Sequence, residues 1–217
     1  MSNEYAEGDL SADALGALVA NAPQRTPEWH AERRGKITAS RVWCILPGKR
    51  GGYPAERQKY LYGIAAERLG VILPERYETD DMRRGRELEP VAREAMAFEL
   101  GCTIREVGFI GNDVFGASLD GIAELQPAAS IELKCPQAIE FVRFALGGEI
   151  DPDHYAQIQL GMLATGLTVA YLGYYHPEFP RPLVARRIER DTEFCARLEA
   201  EINKAEAEIC EIVRKLS

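Results

Sequence analysis

Apolar residues recur at helical spacing through the first and last parts of the chain, and in short runs or at every second position through much of its middle. Tyr60, Leu61, Ile64, Ala65 and Leu69 predict a helix over 56–69. Leu88, Val91, Ala92, Ala95, Met96 and Ala97 predict a longer one over Asp80–Leu100, with Gly101 as its C-cap. Upstream, Thr26-Pro27-Glu28 reads as a helix start, with Thr26 as N-cap and Pro27 in the first helical position, and Gly35 ends that helix. Thr38 or Ser40 then opens a short helix carrying Val42, Trp43 and Ile45, which Pro47-Gly48 stops. After Gly101 the period shortens. Segments 102–110, 114–119, 121–125 and 130–135 read as strands, punctuated by Gly111-Asn112-Asp113 and Gln126-Pro127. Residues 140–146 are helical, and 153–165 form a helix capped by Asp153 and ended near Gly166. Residues 168–175 and 183–188 are extended. The tail Thr192–Leu216 sets Phe194, Leu198, Ile202, Ala205, Ile209, Val213 and Leu216 on one stripe.

The order helices, strands, helix, strands, helix predicts one α/β (α+β) domain over 25–217, ending in the long amphipathic helix of 191–217. Residues 1–24 precede it as an acidic, Ala-rich extension, with a short amphipathic helix expected over 12–20. At 217 residues the chain has the size to bury a core. Its apolar fraction of 46% and charged fraction of 28% exclude a wholly disordered chain. No apolar run approaches a membrane span and the N-terminus lacks a signal layout, so a soluble cytoplasmic protein with no membrane partner is expected. The cysteines Cys44, Cys102, Cys135, Cys195 and Cys210 form no C-x-x-C pair, which weakens zinc-ribbon and disulfide readings. His30, His154 and His176 are equally dispersed. Any metal is therefore expected on carboxylates.

The net charge of −8 speaks against nucleic acid until its distribution is read. Residues 1–24 carry −4 and residues 191–217 carry −3, whereas nine bases against three acids give 25–59 a charge of +6. A basic segment within an acidic chain suits a local groove for phosphate.

Ser118-Leu119-Asp120-Gly121 and Ile131-Glu132-Leu133-Lys134 lie in neighbouring strand segments. Period-two alternation puts Glu132 and Lys134 on one face and Ile131 and Leu133 on the other. A turn between the segments would bring Asp120 and Glu132 together. Two close carboxylates repel unless a cation lies between them, and hard oxygen donors suit Mg²⁺ or Mn²⁺. Lys134 beside that ion would orient water or stabilise charge on a phosphate. By itself the pattern is more often a cross-strand salt bridge on an exposed face.

The pattern S-x-D-G followed by I-E-L-K-C-P resembles the PD-(D/E)xK nuclease core. The upstream W-H-x-x-R-x-G-x-I-T-A-S runs from Trp29 and His30 through Arg33, Gly35, Ile37 and Thr38 to Ser40. With it, the chain resembles the phage lambda exonuclease family, the YqaJ-type viral recombinases. G-x-x-x-E, from Gly85 to Glu89, and A-Q-x-Q, from Ala156 to Gln159, match the family as well. The ordered matches span roughly 25–190. The residue before the aspartate departs from the family pattern, being Leu119 in place of proline; proline neither ligates metal nor moves protons.

The resemblance implies a restriction-endonuclease-like core, a central mixed β-sheet flanked by helices. It implies Asp120, Glu132 and the Leu133 carbonyl as metal ligands, Lys134 as the catalytic lysine, and Glu89 and Gln157 as supporting catalytic residues. Arg33, Ser40 and Ser118 match positions that hold the 5′-phosphate of a DNA end. The implied activity is Mg²⁺-dependent 5′-to-3′ digestion of one strand of linear double-stranded DNA, leaving 3′ overhangs for recombination. The implied assembly is a ring-shaped homotrimer, the partner a single-strand annealing protein, and the setting a phage or prophage in a bacterial cell. A structure-specific or endonucleolytic enzyme of the same core and a non-catalytic DNA-end-binding module remain as alternatives. A relative carrying an iron–sulfur cluster would need grouped cysteines that this spacing does not offer. Trp29 reads as a core aromatic that also braces Arg33, Glu89 equally as a first-turn residue favoured by the helix dipole, and His154 as structural.

Overall fold

The computed structural model describes residues 22–48, 50–74 and 78–217. The helix expected over 12–20, and most of the acidic extension, lie outside the described residues.

Helix α1 (Pro27–Arg33) begins as its sequence predicts: the Trp29 N–H donates to the Thr26 hydroxyl at 3.3 Å, and Pro27 fills the first turn, where its missing N–H costs nothing. Gly35 then turns the chain at φ +72°, and a Cβ there would sit 2.9 Å from Arg68 Cγ. β1 (Ile37–Thr38) leads into a 3-10 helix (Ala39–Ile45). Thr38 takes the N-cap position without a side-chain capping bond and Ser40 lies inside the helix, so neither hydroxyl caps it; the Thr38 N–H is instead held by Tyr60 Oη at 3.0 Å. α2 (Glu56–Arg68) and α3 (Asp80–Leu100) follow, the latter capped by Thr79 and ended by Gly101 at φ +63°.

The extended segment expected over 102–110 divides into β2 (Ile104–Arg105) and β3 (Phe109–Gly111), which enter different sheets. β3 pairs antiparallel with β4 (Phe115–Ser118), and β1 pairs parallel with β4 on its other side. β2 pairs with β5 (Gly121–Ala123), then come β6 (Ala129–Lys134), β7 (Val169–Tyr175) and β8 (Leu183–Glu189), with β6 and β7 parallel. The single central sheet expected from the sequence is thus two mixed sheets. The β3–β4 hairpin is close-packed at its glycines: a Cβ on Gly116 would overlap the Phe109 ring and lie 2.5 Å from the Ile110 carbonyl oxygen. Between β4 and β5 the chain passes back from one sheet to the other over the two residues Leu119 and Asp120.

α4 (Ala138–Ala145) and α5 (Pro152–Thr165) separate β6 from β7. The cap of α5 is Asp151, not Asp153, because Pro152 takes the first helical position; Asp151 Oδ1 accepts from the Asp153 N–H at 2.8 Å. One apolar cluster joins Ile37, Leu61, Ala117, Leu119, Leu160, Leu198 and Ile202, packing the smaller sheet, α2, α5 and the final helix α6 (Thr192–Leu216) together. A second, under α3, contains Ala92, Met96, Ile131, Leu133 and Leu183. The α6 stripe packs on its own chain through Leu198, Ile202, Ala205 and Ile209, while Leu216 is exposed. Arg57 and Arg68 of α2 each grip an α6 carboxylate, Glu208 and Glu206, through two hydrogen bonds. Among the described residues no helix is long and apolar enough to cross a membrane.

Candidate active site

Strand β6 delivers the chemistry by its pleat. Ile131 and Leu133 enter the apolar cluster under α3, and Glu132 and Lys134 point the other way, toward α5. Lys134 Nζ lies 2.7 Å from Glu132 Oε1. Gln157, on the second turn of α5, donates through Nε2 to Glu132 Oε1 at 2.6 Å and accepts from Lys134 Nζ through Oε1 at 3.1 Å. An amide carries both a donor and an acceptor, so it can tie a carboxylate to an ammonium in one geometry. Burial pulls the Lys134 ammonium down, but Glu132 and Asp120 together outweigh it and hold it above the ordinary lysine value.

Asp120 sits at the crossing between the two sheets. Its N–H donates to the Ile131 carbonyl at 3.1 Å, and its Oδ2 accepts from the Leu133 N–H at 2.6 Å. Burial, and then the nearby Glu132 and Glu89 charges, push its carboxyl well above the usual carboxylate range. Acids forced together in this way fit a divalent cation, which would remove the repulsion. The donors suit the ion too. The N–H and C=O of one strand residue face the same way; the Leu133 N–H points at Asp120, so its carbonyl opens on the same side as the acids. Among the described residues no three His, Cys, Asp or Glu side chains group to hold a metal ion.

Glu89 stands in the middle of α3, the tenth residue from Asp80, so the dipole of a helix start does not account for it. Its carboxylate faces Asp120 but is occupied: Oε2 is 2.6 Å from Arg25 Nη2 and Oε1 is 2.6 Å from Arg93 Nη2. Arg93 also donates to the Asp120 carbonyl. The motif reading missed Arg93, although its place four residues after Glu89 is the helical ion-pair spacing that would have found it.

A second group lies along α1. Arg33 Nη1 and Trp29 Nε1 both donate to Ser118 Oγ, at 2.7 and 2.9 Å, and the guanidinium lies 4.3 Å from the Trp29 ring centroid and 5.7 Å from that of Phe109. Trp29 is half-buried and braces Arg33 from the outside of the core, not from within it. Among the described residues no hydrogen bond or ion pair joins Arg33 to a carboxylate; burial lowers its pKa, and the Tyr60 and Glu67 charges oppose that. A half-buried guanidinium with no carboxylate in direct contact keeps N–H donors to offer an anion. Ser40 is exposed, and no hydrogen bond ties it to Arg33 or Ser118 among the described residues. Beside Lys134, His154 Nδ1 and the Tyr174 hydroxyl lie 2.9 Å apart; burial and the Lys134 charge push the imidazole down to about 4. His154 is thus a structural neighbour of the site. The Cys135 thiol, pushed by burial up to about 11, is an inert companion.

The profile of the YqaJ-like viral recombinase domain matches residues 28–168, well over half of the chain. The chain belongs to that family. Every residue named above except Arg25 and Tyr174 lies within the matched span. No curated protein gives a significant match. Among solved structures, the alkaline exonuclease LHK-Exo from Laribacter hongkongensis is 33% identical with a TM-score of 0.79, over 88% of this chain and 96% of that one. LHK-Exo in complex with dAMP gives 34% and 0.78 over the same shares. A phage-related exonuclease from Haemophilus somnus 129PT, 16% identical over 84% of this chain and 96% of that one, shows the fold alone, at a TM-score of 0.67. The fold of this YqaJ-like chain is the PD-(D/E)xK type, with helices flanking two mixed sheets.

Proposed function

We propose that this YqaJ-like protein is a Mg²⁺-dependent exonuclease, with Mn²⁺ as a substitute, that digests one strand of linear double-stranded DNA from the 5′ end and leaves 3′ overhangs for recombination. The observation that carries the reading is the Glu132–Lys134–Gln157 triangle facing Asp120. Its support is a family of viral recombinases and a 33%-identical alkaline exonuclease. The 34%-identical structure is a complex with dAMP, and a nucleoside monophosphate is what stepwise digestion of DNA would release.

Asp120, Glu132 and the Leu133 carbonyl would hold the cation. When bound, such an ion neutralises phosphate charge and makes a water acidic enough to attack. Lys134 presents its ammonium to the non-bridging phosphate oxygens, where negative charge grows as the bond breaks. Gln157 keeps Lys134 and Glu132 in register, and Glu89 supports the ion or its water from α3. Arg33 and Ser118 receive the 5′-terminal phosphate, a doubly charged group matched to a guanidinium fork, with Ser40 closing on it from the 3-10 helix. Gripping the terminus fixes which bond reaches Lys134. A ring-shaped homotrimer around the duplex, a single-strand annealing partner, and action in the cytoplasm of a phage-bearing bacterium complete the proposal.

Linear duplex labelled at either strand end, with or without 5′-phosphate, tests this in Mg²⁺ or chelator beside closed circular duplex. Release of 5′-label first, only in Mg²⁺, faster from phosphorylated ends and absent from the circle, is the expected result. Cleavage of the circle would favour an endonuclease, and binding of ends without nucleotide release would favour a non-catalytic module.

A further inference from the structure

Arg93 has a side chain 12% exposed and sits one turn beyond Glu89. Its Nε donates to the Asp120 carbonyl oxygen at 2.8 Å, its Nη2 to Glu89 Oε1 at 2.6 Å, and its Nη1 to Glu106. A guanidinium holds its donors in one plane, so three acceptors on three chain segments are fixed relative to one another. Lysine keeps the charge but places it on a flexible stem with a single point-like head.

We propose that Arg93 is a positioning residue for the cation site, fixing the main chain at Asp120 and holding the Glu89 carboxylate in place beside it. Asp120 belongs to a two-residue crossing between sheets, where no ladder continues through it. Its N–H and Oδ2 are tied to β6, and its carbonyl is tied only to Arg93 among the described residues. Removal of the guanidinium leaves β6 holding one side of Asp120 while its tie to α3 is gone. Glu89 then keeps Arg25 alone, an arginine 51% exposed, and stands as a less compensated negative charge facing Asp120. The lost ties to Asp120 and Glu89 loosen the oxygens that meet the ion without removing a ligand, and this loss of geometry outweighs the more negative field that Glu89 then presents. The inference rests on reading Asp120 and Glu132 as cation ligands.

The test is calorimetric titration of the full chain with Mn²⁺ in the absence of DNA, paired with the Mg²⁺ concentration giving half-maximal nucleotide release. Parent, Arg93→Lys, Arg93→Met and Arg25→Ala are compared, with Arg57→Lys as a control that disturbs the two-bond grip of a similarly buried arginine on α6. Both Arg93 variants are expected to bind Mn²⁺ at least about tenfold more weakly and to shift the Mg²⁺ midpoint by a similar factor, with rate recovering at high Mg²⁺. Arg25→Ala is expected to shift both by less. Arg57→Lys is expected to lower the melting temperature and move neither. Should Arg93→Met not fold, Arg93→Lys decides. A folded Arg93→Lys with parental Mn²⁺ affinity overturns the proposal, as does a parent that binds no Mn²⁺. A parent that binds Mn²⁺ yet releases no nucleotide overturns the nuclease reading instead, and the calorimetry still judges Arg93.

Discussion

Lys134 Nζ and Glu132 Oε1 stand 2.7 Å apart on one face of β6, with side chains 24% and 7% exposed. Adjacent same-face positions on a strand guarantee that such residues are neighbours. They do not guarantee burial, which costs several kcal/mol per ion before attraction and hydrogen bonds repay it. Gln157 supplies part of that compensation, and Asp120, itself held by the Leu133 N–H, adds a second carboxylate.

Replacement of either partner separates stability from chemistry. Lys134→Met strands the Glu132 carboxylate and should destabilise the fold by about 3 kcal/mol, with nucleotide release down at least about 100-fold. The double variant Lys134→Met/Glu132→Gln should regain much of that stability in urea melts while remaining inactive. Parental activity in Lys134→Met would remove the lysine from the mechanism.

Gln157→Ala should lower nucleotide release by about 10- to 100-fold, since it frees both groups that it holds. Its stability cost should stay near 1 kcal/mol in the same urea melts. A rate within experimental scatter of the parent would make Gln157 a bystander.

Selectivity for phosphorylated ends should follow Arg33 and Ser118. A charge-assisted hydrogen bond is worth about 1.5–3 kcal/mol, so Arg33→Met should cut the ratio of rates on 5′-phosphate and 5′-hydroxyl duplex by at least about tenfold. Ser118→Ala should cut it less, and exposed Ser40→Ala least of the three. Equal ratios in parent and Arg33→Met would place phosphate recognition elsewhere.

His154 predicts a stability slope in acid. Its folded value is about 4 against 6.5 in the unfolded chain, so the unfolded state binds the extra proton between those values. Stability from this group is complete above pH 6.5 and falls as pH drops toward 4. The loss is roughly 2 kcal/mol by pH 5. Burial sets most of the shift, the Lys134 and Arg143 charges add to it and Asp151 opposes it, while the Tyr174 hydroxyl lies 2.9 Å from Nδ1. His154→Gln should flatten this part of the melting-temperature profile between pH 7 and 5; an unchanged slope would assign the acid sensitivity to other groups.

Gly116→Ala should cost more than about 3 kcal/mol, because the new methyl meets the Phe109 ring and the Ile110 backbone of a hairpin that has no slack. Denaturant melts would measure it directly. A smaller cost would mean that β3 shifts freely.

Local rules were read well where a short stretch decides the outcome. Thr26-Pro27, Gly101 and the amphipathic tail gave a cap, a helix end and a packing face, because each depends on residues within one or two turns. Asp151 caps α5 where Asp153 is expected, because Pro152 between them takes the first helical position. The break of 102–110 into two strands depended on which sheet each half would join, which hydrophobic alternation does not encode.

The candidate site divides along the same line. The sequence alone determined that Glu132 and Lys134 share a strand face and that the chain carries the ordered motifs of its family, since alternation and motif order are properties of the chain. Only tertiary structure decided that Gln157 reaches both of them, that Arg33 and Trp29 converge on Ser118 across more than 80 residues, and that Glu89 spends its oxygens on Arg25 and Arg93. Such contacts form between elements, where packing of α3 and α5 on the sheets sets the distances, and no local periodicity fixes them.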